Sequence, residues 1–243
     1  MLKIEIAPLI MNTLISLYYI VEGSQPGKAI YWTGATILTY GLLRMRGYQM
    51  IVGVDLDGIL ADFNEAYIKL LTKQSGIVFP PISDAYPDTW YYEKAIGVSE
   101  EDQKAVWEHI EWSEDFWLSL KPYWNACGFL VRLRWVKADT YFITNRKGRT
   151  AKWQTERWLH KCGFPEPTVL LASQKGMLCN ALNITHYIDD KIENCEDVRN
   201  NSVGHCYMLK RPWNKPVKRV PVLNNLDEFL AVLMLDNLEK KDG

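Results

Sequence analysis

Cysteine is scarce in this chain and has no pairing pattern. The five residues, Cys127, Cys162, Cys179, Cys195 and Cys206, are odd in number and include no CxxC, which excludes a zinc site or disulfide framework and fits reduced thiols in a cytosolic setting. An excess of charge is missing too. Lys and Arg number 28 against 29 Asp and Glu, for a net charge of -1, so no whole-molecule field favours a nucleic acid polymer. The short basic clusters Arg146-Lys147-Gly148-Arg149 and Lys210-Arg211 suit a phosphate-sized anion instead. No P-loop, GxGxxG or Ser-His-Asp arrangement is readable, and there is no internal repeat or low-complexity segment. The four histidines offer no pair at metal-ligand spacing; His186 reads as packed or solvated, and His109 and His160 fall on expected helices.

The most informative stretch that is present runs from Ile51 to Asp62, IVGVDLDGILAD. A short β-branched run reads as a buried strand, and two acids one residue apart leave its C-terminal end before Gly58 allows a sharp turn. Alternation along an extended chain points Asp55 and Asp57 the same way, into the crevice where α/β sheets bind ligands. Two carboxylates there repel unless a cation or a shared proton compensates. A divalent metal and a phosphate ester would use them well, one as nucleophile and the other as acid/base. A calcium loop is excluded because Ile59 stands where the EF-hand pattern needs an oxygen ligand.

Three later segments extend this reading. Thr140-Tyr141-Phe142-Ile143-Thr144-Asn145-Arg146 is a second apolar strand, ending in neutral donors and a guanidinium suited to phosphoryl oxygens. Lys175 stands in a loop, Ala172-Ser173-Gln174-Lys175-Gly176. His186-Tyr187-Ile188-Asp189-Asp190-Lys191 is a third strand ending in paired acids, which need a cation and so could complete a metal site.

In this order and spacing the segments resemble the four motifs of the haloacid dehalogenase superfamily of phosphotransferases. The closer similarity is to the 5'(3')-deoxyribonucleotidase family, carried by DLDGILADFNEAY, ITNRKGRTAKWQTERWL, YIDDKIEN and RPWN at Arg211-Pro212-Trp213-Asn214, and it covers about Met50 to Leu235. The resemblance implies hydrolysis of a small phosphomonoester, a (deoxy)nucleoside monophosphate, through an aspartyl-phosphate on Asp55. Asp57 would act as acid and base, with Thr144 and Lys175 completing the catalytic set. It implies Mg²⁺ held by Asp55, the backbone carbonyl of Asp57 and Asp189, with Asp190 in support, orienting Lys175 or a metal-bound water. Phe63, Asn145 and Arg146 become substrate-binding candidates. Two other readings stay open: a phosphatase for another small phosphate, whose aromatics only pack, and a membrane-associated interaction protein on a degenerate scaffold.

Alternating strands and helices predict an α/β, doubly wound parallel sheet over 50–235. Strands are expected at 51–54, 168–171, 187–188 and 203–209, and helices at 63–74, after Thr144, and at 226–233. The resemblance implies a small helical cap after the first motif, at about 75–135. That segment is rich in aromatics (Trp90, Trp107, Trp112, Trp117 among them) that pack or stack on a nucleobase. Residues 236–243 read as a charged tail. Residues 1–49 are of a different kind: two uncharged runs, 6–21 and 29–43, joined by Glu22-Gly23-Ser24-Gln25-Pro26-Gly27-Lys28. Each is shorter than the ~20 residues of a membrane-spanning helix. Lys3, Arg44 and Arg46 fit a helical hairpin inserted from the inner face of a membrane, its catalytic domain cytoplasmic. A hairpin docked on protein is the alternative. Oligomeric state leaves no sequence signal.

Overall fold

The computed structural model describes residues 49–80, 92–215 and 219–239. The chain divides into two units, Met1–Gln49 and Met50–Gly243, and the hairpin expected over 1–49 lies outside the described residues. Among the described residues no helix is long and apolar enough to cross a membrane.

The second unit is built on a six-stranded sheet, all parallel. Its strands are β1 (Ile51–Val54), β2 (Asp139–Thr144), β3 (Thr168–Leu171), β4 (His186–Asp189), β5 (His205–Leu209) and β6 (Val222–Leu223), in the spatial order β3-β2-β1-β4-β5-β6. Chain order runs one way from β1 to β3 and the other from β4 to β6, so the direction reverses between β1 and β4. A crevice opens at the carboxyl ends of strands at such a switch point. The apolar residues Val52, Val54, Tyr187 and Ile188 of the two central strands are closed to solvent, as a sheet covered on both faces requires.

Between β1 and β2 lie α1 (Phe63–Ser75), α2 (Tyr92–Ala95), α3 (Glu100–Trp112), α4 (Phe116–Ser119) and α5 (Ala126–Leu133). Asp62 caps α1 by accepting from the Glu65 amide at 3.0 Å, and Ser99 caps α3 by accepting from the Asp102 amide at 3.0 Å. Gly76 closes α1 in the left-handed conformation, φ 72°. The insertion leaves and re-enters the core through adjacent strands of chain. Ala61 bridges Pro122 antiparallel, and the Asp62 amide donates to the Lys121 carbonyl at 2.8 Å. Within the described part of the expected cap segment, α1 packs on α3, whereas α5 packs on the closing helix of the core. The face Ala126, Phe129, Leu130 and Leu133 explains this, since all four side chains are buried, with Phe129 meeting Phe229 at 6.4 Å between ring centroids.

The remaining helices are α6 (Ala151–Lys161), α7 (Lys175–Ala181), α8 (Ile192–Asn201) and α9 (Leu226–Glu239). The closing helix continues to Glu239, well into the expected tail, and the extension is tied to the core where Asn237 Nδ2 donates to the Val136 carbonyl at 3.1 Å. Strand β6, two residues long, and α8 have no counterpart in the expectation from sequence.

Candidate active site

The carboxyl ends of β1, β2 and β4 bound a cleft of about 350 Å³. Its lining includes Asp55, Asp57, Phe63, Thr144, Asn145, Arg146, Lys175 and Asp190. Eight of the nine residues expected to form the site are thus brought together, and the ninth, Asp189, lies buried directly behind Lys175.

Lys175 begins α7 and is 2 % exposed. Its ammonium stands 2.8 Å from Asp55 Oδ1 and 2.8 Å from Asp189 Oδ2. Burial opposes its charge, but Asp189 and Asp55 outweigh this and hold the amine above its ordinary range. Asp55 is pushed up to about 7, by burial first and Asp189 second, with Lys175 pulling the other way and Asp57 adding to the rise. Asp190 is raised well above the carboxylate range by burial, Asp189 and Asp55, against the pull of the Trp213 indole. One lysine therefore serves three buried carboxylates, Asp55, Asp189 and Asp190, whose oxygens lie within 4.8 Å of one another. That surplus of negative charge, on hard oxygen donors, fits a divalent cation such as Mg²⁺.

The two members of the acid pair differ in what they have left to offer. Asp189 accepts from Lys175 Nζ at 2.8 Å, the Tyr187 hydroxyl at 2.7 Å, the Lys191 amide at 2.9 Å and Asn194 Nδ2 at 3.0 Å. A carboxylate has about four lone-pair positions, so Asp189 is saturated. Asp190 accepts from one side chain among the described residues, Trp213, whose Nε1 lies 2.7 Å from Oδ2. Of the two expectations for Asp190, orienting Lys175 or a metal-bound water, the contact with Lys175 belongs instead to Asp189. Gly58 seals the arrangement: it sits at φ +84°, and a Cβ there would fall 2.0 Å from Asp190 Oδ2.

Arg146, expected to bind substrate, lines the cleft with its guanidinium engaged within the protein. Its side chain is closed to solvent and faces Asp57: Nη2 donates to Oδ1 at 2.7 Å and Nε to Oδ2 at 3.0 Å. Nη1 donates to Thr155 Oγ1 at 3.0 Å, and the guanidinium lies 4.9 Å from the centre of the Trp117 ring. Such a fork fixes a carboxylate in one plane. Trp117 belongs to the cap and is tied down in turn. Its amide donates to Gln154 Oε1 at 2.8 Å and its indole to the Lys147 carbonyl at 2.9 Å. Trp158 Nε1 reaches the Leu120 carbonyl at 2.7 Å. These bonds join the cap segment 113–120 to α6.

Above the carboxylates the wall is aromatic. Phe63 stacks on Tyr67, Trp107 and Trp117, at 5.2, 5.7 and 5.8 Å between centroids, and Phe63, Trp107 and Trp117 all face the cleft. Thr144 is buried at the end of β2, with Asn145 exposed beside it. Sequence reasoning passed over Tyr187 and Asn194, which hold Asp189, and Thr155, which holds Arg146. Asn194 stood within the quoted YIDDKIEN, five residues after Asp189, a place one helical turn beyond the strand end. Tyr187 and Thr155 carried no signal beyond an ordinary core strand and helix.

A family model described as 5' nucleotidase, deoxy (pyrimidine), cytosolic type C protein matches residues 49–234. No curated protein matches the chain. Among solved structures, a haloacid dehalogenase (HAD) family hydrolase from Deinococcus radiodurans R1, with bound phosphate and sodium, is similar at a TM-score of 0.56 and 13 % identity, covering 78 % of this chain and 97 % of that one. A putative HAD-hydrolase from Bacillus subtilis bound to magnesium is similar at 0.50 and 15 % identity, covering 76 % and 98 %. At such identities the likeness establishes the fold.

Proposed function

Because the chain belongs to the cytosolic type C 5' deoxynucleotidase family and is a phosphatase, we propose that it hydrolyses (deoxy)nucleoside monophosphates, with Asp55 as nucleophile and Asp57 as acid and base. The observation carrying this is the division of labour between two neighbouring carboxylates. Asp55 is buried against Lys175 and aimed into the cleft, while Asp57 is gripped in one plane by Arg146.

An Asp55 oxygen attacks phosphorus, and the bond to the ester oxygen breaks as Asp57 delivers its proton to the leaving alcohol. Water then attacks the aspartyl-phosphate while Asp57 takes its proton. The Asp55 carboxylate is released together with inorganic phosphate. Lys175 remains against Asp55 throughout, and Thr144 and Asn145 donate to phosphoryl oxygens. Asp55 and Asp190, with the backbone carbonyl of Asp57, would hold Mg²⁺. We move that role from Asp189 because the four donors on Asp189 leave it no free lone pair. When bound, the ion offsets the charge that keeps an anionic nucleophile from an anionic phosphate. Cap closure by the 113–120 segment would exclude bulk water.

The cleft is at the small end of ligand pockets, which span roughly 300–1,000 Å³, and its aromatic wall offers a face to a nucleobase. A phosphatase for another small phosphate is favoured by one observation, the mutual stacking of those rings. Phosphate release from the full chain, measured with Mg²⁺ and with EDTA over nucleoside monophosphates and sugar phosphates, separates the two. Preference for nucleotides, with Phe63→Ala raising KM for them by roughly 5- to 150-fold (1–3 kcal/mol of stacking) and leaving sugar phosphates unchanged, is expected. Equal turnover of both classes would remove the nucleotide reading, and full activity in EDTA would remove the metal.

A further inference from the structure

The RPWN segment between β5 and β6 has no part in the chemistry above, yet it touches two of the motifs that do. Arg211 Nε donates to the Gly58 carbonyl at 2.5 Å and Nη2 to the Ile59 carbonyl at 3.2 Å. Those carbonyls belong to the turn that carries the first motif out of the sheet. The guanidinium also lies 4.1 Å from the centre of the Tyr123 ring, at the point where the cap returns and the Tyr123 amide donates to the Leu60 carbonyl at 2.8 Å. Two residues on, the buried Trp213 indole donates to Asp190 Oδ2 at 2.7 Å. Asn214 Nδ2 donates to the backbone carbonyls of Asp190 at 2.7 Å and Leu209 at 2.8 Å, while its Oδ1 accepts from the Arg211 amide at 3.1 Å. Three residues thus hold Asp190 by its side chain and its backbone, and hold the turn against which Asp190 rests. Gly58 leaves no slack, since a Cβ there would strike the same oxygen that Trp213 engages.

We propose that Arg211, Trp213 and Asn214 form a positioning clamp that aims the Asp190 carboxylate for divalent-ion binding. The proposal rests on the reading of Asp190 as an ion ligand. Groups that orient ligands in this way commonly change metal affinity by about 10- to 100-fold when removed, because an unheld carboxylate samples rotamers the ion cannot use. Trp213→Phe keeps an aromatic ring and removes the donor. It leaves Oδ2 without its partner, so the carboxylate is free to turn away from the cleft.

The test is Mg²⁺ titration calorimetry on the full-length protein, comparing wild type, Asp190→Asn, Trp213→Phe and Arg211→Met, with melting in EDTA as the control for folding. Asp190→Asn should lose Mg²⁺ binding. Trp213→Phe should weaken it by roughly 10- to 100-fold with melting in EDTA close to wild type, and excess Mg²⁺ should restore its turnover. A role confined to packing would lower the melting temperature and leave Mg²⁺ affinity alone. If Trp213→Phe does not fold, Arg211→Met carries the test, since it frees the Gly58 and Ile59 carbonyls without touching Asp190. Wild-type Mg²⁺ affinity in the folded variant, alongside a loss in Asp190→Asn, would overturn the clamp alone. Wild-type affinity in Asp190→Asn would overturn the ligand assignment beneath it, and the clamp with it.

Discussion

Metal-free Asp55→Asn is expected to be more stable than the wild-type protein at pH 8 and no more stable at pH 4. In the folded chain burial, followed by Asp189, raises the Asp55 carboxyl from 3.8 to about 7. Ionising it therefore costs about 4 kcal/mol more in the folded than in the unfolded state. Below pH 3.8 both states keep the proton and the penalty is nil. Between 3.8 and 7 the unfolded chain releases its proton first, so wild-type stability from this group falls as pH rises; above 7 the whole penalty is in force. The amide preserves shape and carries no charge. It gives up the ion pair with Lys175, but that attraction already lowers the Asp55 value to about 7.

An imperfect fit of the amide beside Lys175 reduces the gain to about 2–4 kcal/mol, with each buried hydrogen bond counting for about 1 kcal/mol. For a domain of this size that is roughly 4–16 °C in Tm. Melting in EDTA at pH 4, 6 and 8 reads the effect as a difference between variant and wild type that opens with rising pH. Mg²⁺ at a hundred times its Kd should then stabilise the wild type by about 2.7 kcal/mol and the variant far less, closing the gap. A variant less stable than wild type at pH 8 in EDTA would refute the picture of Asp55 as a charge held against its environment, as would a difference independent of pH.

Asp190→Asn should raise the Mg²⁺ concentration for half-maximal activity far more than Asp189→Asn, which should instead lower kcat by releasing Lys175; equal shifts in the metal titration would return the ion to Asp189. Arg146→Lys keeps the charge but loses the fork on Asp57, so steady-state kinetics should show kcat reduced by roughly 10²-fold with KM nearly unchanged. A rise in KM with kcat intact would restore Arg146 to the substrate-binding role its sequence position suggested.

The strands were readable because each buried strand is an apolar run cut off by a change of chemistry, as where Val54 gives way to Asp55 and Ile143 to Thr144 and Asn145. The four motifs were readable for the same reason, since strands in such a sheet end where the site begins. Strand β6 has only Val222 and Leu223, too few for any periodicity. The packing of α5 on the closing helix was not readable because Ala126, Phe129, Leu130 and Leu133 show an apolar face without showing what covers it, and the cover, Phe229 and its neighbours, is about a hundred residues away. Arg146 illustrates a different limit. A guanidinium after a strand end reads as a free anion binder, and only tertiary structure reveals that Asp57, Thr155 and Trp117 have already claimed it.

The pair Asp189-Asp190 is harder still, because two identical residues in succession carry no mark of which does what. Their difference arises from register. β4 pairs with β1 so that Ile188 lies opposite Val54, which sets Asp189 level with Asp55. Residues in register on parallel strands project from the same face, so these two carboxylates are forced together and require a cation between them. Lys175 provides one, 2.8 Å from each, as a fixed part of the chain. Asp190, one residue beyond the strand, is turned against Gly58 instead, where no lysine or arginine among the described residues forms an ion pair with it. The fold thus gives Asp189 a permanent counter-charge and leaves Asp190, whose carboxyl is raised well above its ordinary range, without one. That asymmetry is why the single variants Asp189→Asn and Asp190→Asn should not give equivalent proteins: the first leaves Lys175 short of a partner, whereas the second removes an acid that has no ion pair among the described residues.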